Sequence, residues 1–259
     1  MDTFIDNTHG YIPVGATIKL SNTLKIFLAI NTRPQIDQIF EGFNIELQTI
    51  VNSGVTHSYR KGEIIFREGG IPNGVFIINK GFIKNYKFTS KGEDQIHYVS
   101  GMGELFGYHA ILGDEYYSDS ASTLEDSQIT FIPRDVFLMT IQKSAGLNAQ
   151  LVRLLAREFN LFINSISTLS TRSVRERLAI NLLILDEKYK NPGKLNKAGE
   201  INLSRSDLAN MVGTAKENLV RILAEFKLGG LIHLKKTIIV IANKNELIKK
   251  ARLHDRKAS

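Results

Sequence analysis

The side chains best placed to do chemistry lie in one stretch, Ser204-Arg-Ser-Asp-Leu-Ala-Asn-Met-Val-Gly213-Thr-Ala-Lys-Glu-Asn-Leu-Val-Arg-Ile-Leu-Ala-Glu-Phe226. Leu208, Ala209 and Val212 share an inward face at helical spacing, and small Ala209 allows a second helix to cross closely. Ser204 is the expected N-cap of this first helix, with Asp207 in its first turn. Gly213 suits a left-handed turn, Thr214 is expected to cap the helix that follows, and Leu219, Ile222, Leu223 and Phe226 would bury it. Lys216, Glu217, Asn218, Val220 and Arg221 are left outside on its leading turns. Arg221 can grip guanine O6 and N7 through two N–H groups, and Glu217 can accept from the cytosine amino group. Lys216 or Asn218 can reach a phosphate or an adenine edge. The alternative for Glu217 and Arg221 is a surface ion pair across one helical turn, worth a few tenths of a kcal/mol.

A second cluster is acidic. Residues 103–123 hold Glu104, Asp114, Glu115 and Asp119 and no Lys or Arg. Such carboxylates could serve a hydrolase, but no His-x-Glu, Gly-x-Ser-x-Gly or phosphate loop accompanies them, so an enzyme is not expected. The six histidines, at positions 9, 57, 97, 109, 233 and 254, show no paired metal spacing. His97 and His109 could each act as an axial haem ligand, but a lone His is more often an ordinary polar side chain. No metal site and no cofactor are predicted.

The elements that must position these groups are legible from the pattern. From 46 to 135, runs of four to six residues rich in Ile, Val, Phe and Tyr alternate with glycines at 54, 62, 69, 70, 74, 81, 92, 101, 103, 107 and 113. This predicts short antiparallel strands in a barrel or sandwich, with the glycines supplying positive φ at corners. From 136 to 170 the period lengthens. Leu151, Leu155, Phe159, Phe162, Ile166 and Leu169 form one apolar stripe on a long helix, which favours a twin helix in a homodimer. Ser173 to Tyr189 reads as a further amphipathic helix and residues 191–199 as a loop. Leu231-Ile-His-Leu and Thr237-Ile-Ile-Val-Ile read as a hairpin with Lys235 and Lys236 at its tip. Residues 1–45 form an extension with few organised signals.

The chain has 259 residues, 33 Lys+Arg, 26 Asp+Glu and no Cys. Disulfides, thiolate metal sites, iron–sulfur clusters and Cys nucleophiles are therefore excluded. The net charge of +7 divides unevenly. Residues 1–170 carry 14 basic and 17 acidic side chains, a balance of −3, and residues 171–259 carry 19 and 9, a balance of +10. A basic last third suits a module that meets phosphate backbone, although a solvated lysine-rich surface has the same count. No run approaches the roughly 18 apolar residues of a membrane span, and a cytoplasmic location is expected.

Leu203 to Leu223, followed by Gly-Gly-Leu-Ile, resembles the winged helix-turn-helix of the Crp/Fnr family of bacterial transcription regulators. Tyr59-Arg-Lys-Gly-Glu-Ile-Ile-Phe-Arg-Glu-Gly looks like the opening of that family's cyclic-nucleotide-binding-type β-roll. Gly103, Glu104 and Leu105, with Ser120 and Ala121, look like its phosphate-binding cassette. The similarity runs from about 46 to 245 in family order. It implies an α+β fold with an N-terminal antiparallel β-roll sensor (46–135), a dimerisation helix (136–170) and a winged helix-turn-helix (171–259). It also implies a homodimer that reads double-stranded DNA and meets RNA polymerase. Lys216, Glu217 and Arg221 would read bases, and Ser204, Arg205, Ser206 and Thr214 would hold the backbone. Val220 stands where many members have Ser or Gly.

Glu104 matches the family's ribose-binding carboxylate, but Asp119 stands where its phosphate-gripping Arg would be. An anion among four carboxylates without a counter-charge is repelled by about 1 kcal/mol or more per close pair. The segment Glu158-Phe-Asn-Leu-Phe-Ile163 also lacks the Thr-Ser pair with which classical members reach adenine. The prediction is a sensor whose effector, of unknown identity, is not cAMP. Glu104 is then expected to be a structural carboxylate bonded to turn amides. A ligand-binding adaptor that reads no DNA is the competing function.

Overall fold

The structure, a computed structural model, describes residues 31–90, 92–190 and 199–253. Most of the N-terminal extension, most of the loop at 191–199, His9 and His254 lie outside the described residues.

Two short helices, α1 (Ile36–Ile39) and α2 (Asn44–Asn52), lead into eight strands. These are β1 (Val55–Tyr59), β2 (Ile64–Phe66), β3 (Gly74–Lys80), β4 (Ile83–Phe88), β5 (Asp94–Ser100), β6 (Leu105–Phe106), β7 (Ser120–Thr123) and β8 (Ser127–Pro133), with helix α3 (Tyr108–Leu112) between β6 and β7. They form two antiparallel sheets of four strands, ordered β1-β8-β3-β6 and β2-β7-β4-β5. Phe66, Phe76, Ile78, Ile83, Phe106 and Ile129 close the space between them, while Val75 and Ile77 on the other face of β3 pack against the helices. Side chains of this kind contribute about 1.5–3 kcal/mol each when buried.

The glycine expectation holds for part of its set. Gly62, Gly69, Gly81, Gly92, Gly103 and Gly107 have positive φ, whereas Gly54, Gly70, Gly74, Gly101 and Gly113 do not. Gly74 is required by close approach instead: a Cβ there would lie 2.2 Å from the Phe131 ring and 2.3 Å from the Ile132 carbonyl.

The predicted single helical stretch is broken. Helix α4 (Arg134–Gln142) ends before Ser144, whose hydroxyl accepts from the Leu147 amide at 3.3 Å and caps α5 (Ala145–Thr171). The α5 stripe also needs correcting. Leu151 is only 3 % exposed and packs, with Leu147 and Leu154, into the sensor's own core, and Leu155 is partly buried against it. Phe159, Phe162 and Ile166, with Val152 and Ile163, are exposed. At 3.6 residues per turn the predicted stripe straddles two apolar faces, centred roughly a quarter turn apart. One face covers the sensor and the other is exposed, apart from the Phe162 ring, whose centroid lies 6.2 Å from that of His97 on β5.

Beyond α5 come α6 (Val174–Tyr189), β9 (Glu200–Asn202), α7 (Arg205–Val212), α8 (Lys216–Leu228), β10 (Ile232–Lys235), β11 (Ile238–Ile241) and α9 (Lys244–Lys250). Strand β11 pairs with β10 and β9 in a three-stranded antiparallel sheet. The sensor and this last unit share one apolar core. Phe82, Tyr86, Ile96 and Val99 of the sensor cluster with Leu182, Leu185, Tyr189 and Leu208, and the Phe82 and Tyr189 rings stack at 4.1 Å. Lys84 on β4 reaches Asp94 at 2.6 Å and Asp207 on α7 at 2.9 Å. Burial alone would lower the pKa of this lysine, and the two carboxylates overcome that and raise it.

Candidate functional site

Each element of the helix-turn-helix is held by a local device. Ser173 and Glu176 form a capping box that starts α6: the Ser173 amide donates to the Glu176 carboxylate at 2.7 Å, and the Glu176 amide returns to the Ser173 hydroxyl. Ser204 caps α7 as expected, accepting from the Asp207 amide at 2.9 Å. Gly213 closes α7 in the left-handed conformation, with φ +71°. Thr214 does not cap α8. Ala215 occupies the N-cap without a side-chain bond, and the Thr214 hydroxyl accepts from the Asn218 side chain at 2.8 Å. The turn runs one residue longer than the spacing suggested.

Arg177 on α6 holds that turn from below. Its guanidinium donates to the carbonyls of Val212 (2.8 Å) and Gly213 (2.9 Å) in the turn, and of Arg172 (2.9 Å) at the end of α5. One side chain thus ties the junction between α5 and α6 to the turn ahead of α8. Sequence reasoning missed it, although the Ser173-x-x-Glu176 signature fixes its place on the first turns of α6.

On α8, Leu219, Ile222, Leu223 and Phe226 are buried, and Lys216, Glu217, Val220 and Arg221 face solvent together. The ion pair weighed between Glu217 and Arg221 forms one turn later. Arg221 donates to Glu225 at 3.0 Å and to the Asn218 side-chain oxygen Oδ1 at 2.7 Å, and Arg175 grips Glu225 with two further bonds of 2.9 and 3.0 Å. The Glu217 carboxylate stays out of this relay.

Ser206 is exposed at the start of α7, but Arg205 turns to the wing. Its guanidinium donates to the carbonyls of Thr237 and Lys236, both at 3.0 Å, and burial lowers its pKa. Pairing of Lys235 with Ile238 makes Lys236-Thr237 the two-residue tip, with Lys236 at φ +54°. The tip is therefore one residue later than predicted. Arg205 positions it because the guanidinium fork matches two successive carbonyls.

The charged side chains at the sensor cassette are paired within the chain. Glu104 is 5 % exposed, and its Oε1 accepts from the Gly101 amide at 3.2 Å, as a structural carboxylate would. Its stronger partner is Lys188, at the end of α6, whose ammonium lies 2.6 Å from the same oxygen. Arg33 is also buried and pairs with Glu158 of α5. Burial is the largest single influence and disfavours the Arg33 charge, but Glu158, Tyr108, Tyr98 and Glu104 together outweigh it and raise the pKa. The acidic run at 103–123 therefore does have counter-charges, supplied from outside the run by Lys188, Arg33 and Arg134, whose guanidinium lies 2.6 Å from Asp114.

Asp119 accepts from Asn85 at 3.2 Å and lies 2.9 Å from His97 Nε2. The Ser120 hydroxyl accepts from the Glu68 amide at 3.0 Å, and Ala121 is fully buried. Gly103 and Leu105 serve packing: the Gly103 carbonyl receives the Ile36 amide at 2.6 Å, and Leu105 is in the core. Arg33, Tyr98, Glu158 and Lys188 carried no local signal, since each partner is far away in sequence. Among the described residues no cluster of His, Asp and Glu could hold a metal ion, and no helix is long and apolar enough to cross a membrane.

Comparison with known proteins places this geometry. Residues 56–144 match the cyclic nucleotide-binding domain family, and residues 176–250 match the Crp-like helix-turn-helix domain family. The chain is 30% identical over 192 residues to the fumarate and nitrate reduction regulatory protein of Vibrio cholerae, spanning 74% of this chain and 76% of that protein. It is 31% identical over 188 residues to the regulatory protein HlyX of Actinobacillus pleuropneumoniae, spanning 73% and 78%. Among solved structures, FixK2 from Bradyrhizobium japonicum superposes with a TM-score of 0.68 at 23% identity, covering 80% of this chain and 99% of that one. The global regulator CLP from Xanthomonas campestris gives 0.63 at 19% identity, covering 77% and 99%.

Proposed function

Because this chain belongs to the Crp/Fnr family of DNA-binding transcription regulators, we infer that it works as a cytoplasmic homodimer. It reads double-stranded DNA through Lys216, Glu217 and Arg221 and answers to RNA polymerase at its promoters. The observation that carries this reading is the joint exposure of those three side chains on the first two turns of α8. They sit in a module whose balance is +10. Such turns fit the major groove, where Arg can discriminate guanine by about 1–3 kcal/mol. Ser204 and Ser206 at the start of α7 would hold the phosphate backbone in this reading. Arg205 contributes by fixing the wing, so that Lys235 and Lys236 meet the backbone.

The dimer rests on α5. Phe159, Phe162 and Ile166 form an exposed apolar face on a helix of 27 residues, which suits an isologous helix pair. The sensor does not take cAMP in this reading. Asp119 replaces a cation with an anion, and Lys188 and Arg33 are already committed to Glu104 and Glu158.

The test is selection of bound DNA from a random pool, followed by Arg221→Ala. The variant should lose about 1–3 kcal/mol of preference for the selected site while keeping non-specific binding and its unfolding midpoint. A variant that keeps the preference and loses stability would make Arg221 a purely structural partner of Glu225. Calorimetry with cAMP and cGMP should give no binding heat, and micromolar affinity for either would overturn the reading of Asp119.

A further inference from the structure

Four segments converge on one tyrosine. The Tyr98 ring on β5 is in contact with two cations, with the Arg33 guanidinium 4.2 Å and the Lys188 ammonium 4.4 Å from its centroid. Its hydroxyl accepts from the Arg33 amide at 2.7 Å and from Lys188 at 3.0 Å, and it shares a hydrogen bond with Glu104. Arg33 continues to Glu158 on α5. Lys188 belongs to α6 of the DNA-binding unit, and Glu104 to the cassette of the sensor.

Both ends of the Lys188–Glu104 pair are out of solvent, with side chains 6% and 7% exposed. A buried ammonium without a carboxylate would lose its charge. Here burial lowers the Lys188 pKa, and Glu104 is the largest influence opposing that. Removing one partner of such a pair leaves the other unpaired in a poorly solvated site, which is costly. The pair therefore adds a buried polar link between two units that also share the apolar core around the Phe82–Tyr189 stack and the Lys84–Asp207 bridge.

We propose that Glu104 and Tyr98 form a primary-ammonium site whose ligand is the chain's own Lys188. This internal ligand takes the place of a diffusible effector and holds the DNA-binding unit in its reading arrangement. The direction follows from which face is covered. The latch and Lys84 dock α6 and the start of α7 on the sensor, whereas Lys216, Glu217 and Arg221 remain outside. The latched form thus leaves the reading helix open. A population that needs no effector to reach this form binds DNA at its intrinsic affinity.

The experiment uses the full chain without added nucleotide, and its DNA arm rests on the function proposed above. Lys188→Ala should weaken binding to the selected site by tenfold or more, and Glu104→Gln should do the same. The double variant should be no worse than either single one, because both changes remove the same interaction. Propylammonium at millimolar concentration should restore Lys188→Ala, whereas propanol should not, and neither should restore the double variant. Additive losses, wild-type affinity in either single variant, or equal rescue by the neutral alcohol would each overturn the proposal.

Calorimetric unfolding separates failure of the latch from failure of the DNA reading. The wild type should unfold in one transition, and each single variant should uncouple the units, with propylammonium restoring the coupling of Lys188→Ala. If the wild type showed no site preference, the DNA reading would fall and this thermal cycle would still decide the latch. If Lys188→Ala did not fold, Tyr98→Phe would replace it. Loss of that one hydroxyl should weaken site binding about threefold, and unchanged affinity would count against the proposal.

Discussion

The helix-turn-helix and the sensor pocket use similar side chains in opposite ways. On α8, Lys216, Glu217 and Arg221 are charged, exposed and on the first two turns, so their chemistry is directed outward. At the sensor pocket, Arg33, Glu104 and Glu158 are buried, the Lys188 side chain reaching in from α6 is nearly so, and each is answered by another residue of the chain. An outward site gains from partners that it does not yet have. An inward site has already spent its charges on holding segments together, and a ligand must displace a partner to enter. Helix α5 repeats the contrast along its own length: Leu147, Leu151 and Leu154 are satisfied inside the sensor, and Phe159, Phe162 and Ile166 are not.

The largest effect should come from turning the outward face of α5 against itself. Phe162→Glu with Ile166→Glu places four carboxylates in a seam formed by two helices. The dissociation constant of the dimer should rise more than about a thousandfold, or about 4 kcal/mol. Sedimentation should then report a monomer with its sensor core intact, because neither residue belongs to the buried clusters. A variant dimer of unchanged affinity would move the seam elsewhere. Next in size is Arg177→Ala, which leaves the carbonyls of Arg172, Val212 and Gly213 without their donor. Hydrogen bonds from a charged donor make this worth about 2–3 kcal/mol of unfolding free energy. Arg177→Lys should recover only part of it, since a single ammonium cannot span three carbonyls. Smaller again is Gly213→Ala, at about 1–2 kcal/mol for a side chain forced into the left-handed region. Gly213→Asn should cost less, and equal losses for the two would assign the effect to contact with Leu169, whose methyl lies 3.3 Å from the Cβ position.

The contrast between the two regions also explains what could be read from the sequence. The outward site was legible because every device in it is local: Ser204 and Asp207 three residues apart, Gly213 at a left-handed turn, and buried positions at helical spacing. The β-roll was legible through short alternating runs, because a strand buried on one face repeats every two residues. The inward site was not legible. Counting charges over 103–123 found four acids and no cation. The ammonium for Glu104 stands 84 residues further on, and pairing over that distance leaves no periodicity to detect. Local spacing misled in smaller ways as well. Arg221 chose Glu225 over Glu217 because Arg175 holds Glu225 on the shared face of α6 and α8. Leu151 counted as part of the dimer stripe because a spacing of four fits two neighbouring faces of one helix.

The smallest effect concerns His109, which lies within the sensor on α3, beside Glu158 of α5. Its Nδ1 is buried, has no hydrogen-bond partner among the described residues, and lies 3.9 Å from Glu158. Burial lowers its pKa, with Arg33 and His97 acting in the same direction and Glu158 and Asp119 opposing them. A histidine whose pKa is depressed by folding binds fewer protons in the folded chain than in the unfolded one. Its contribution to stability is therefore complete above the unfolded value near 6.5 and declines as pH falls towards the folded value. His109→Asn removes that proton uptake. The unfolding midpoint of the wild type should fall more steeply than that of the variant between about pH 7 and 5, and the two should run parallel above pH 7. If the variant kept the full acid slope, the Arg33–Glu158 pair would have to hold a protonated His109, and the sensor interior would be more open to charge than its burial implies.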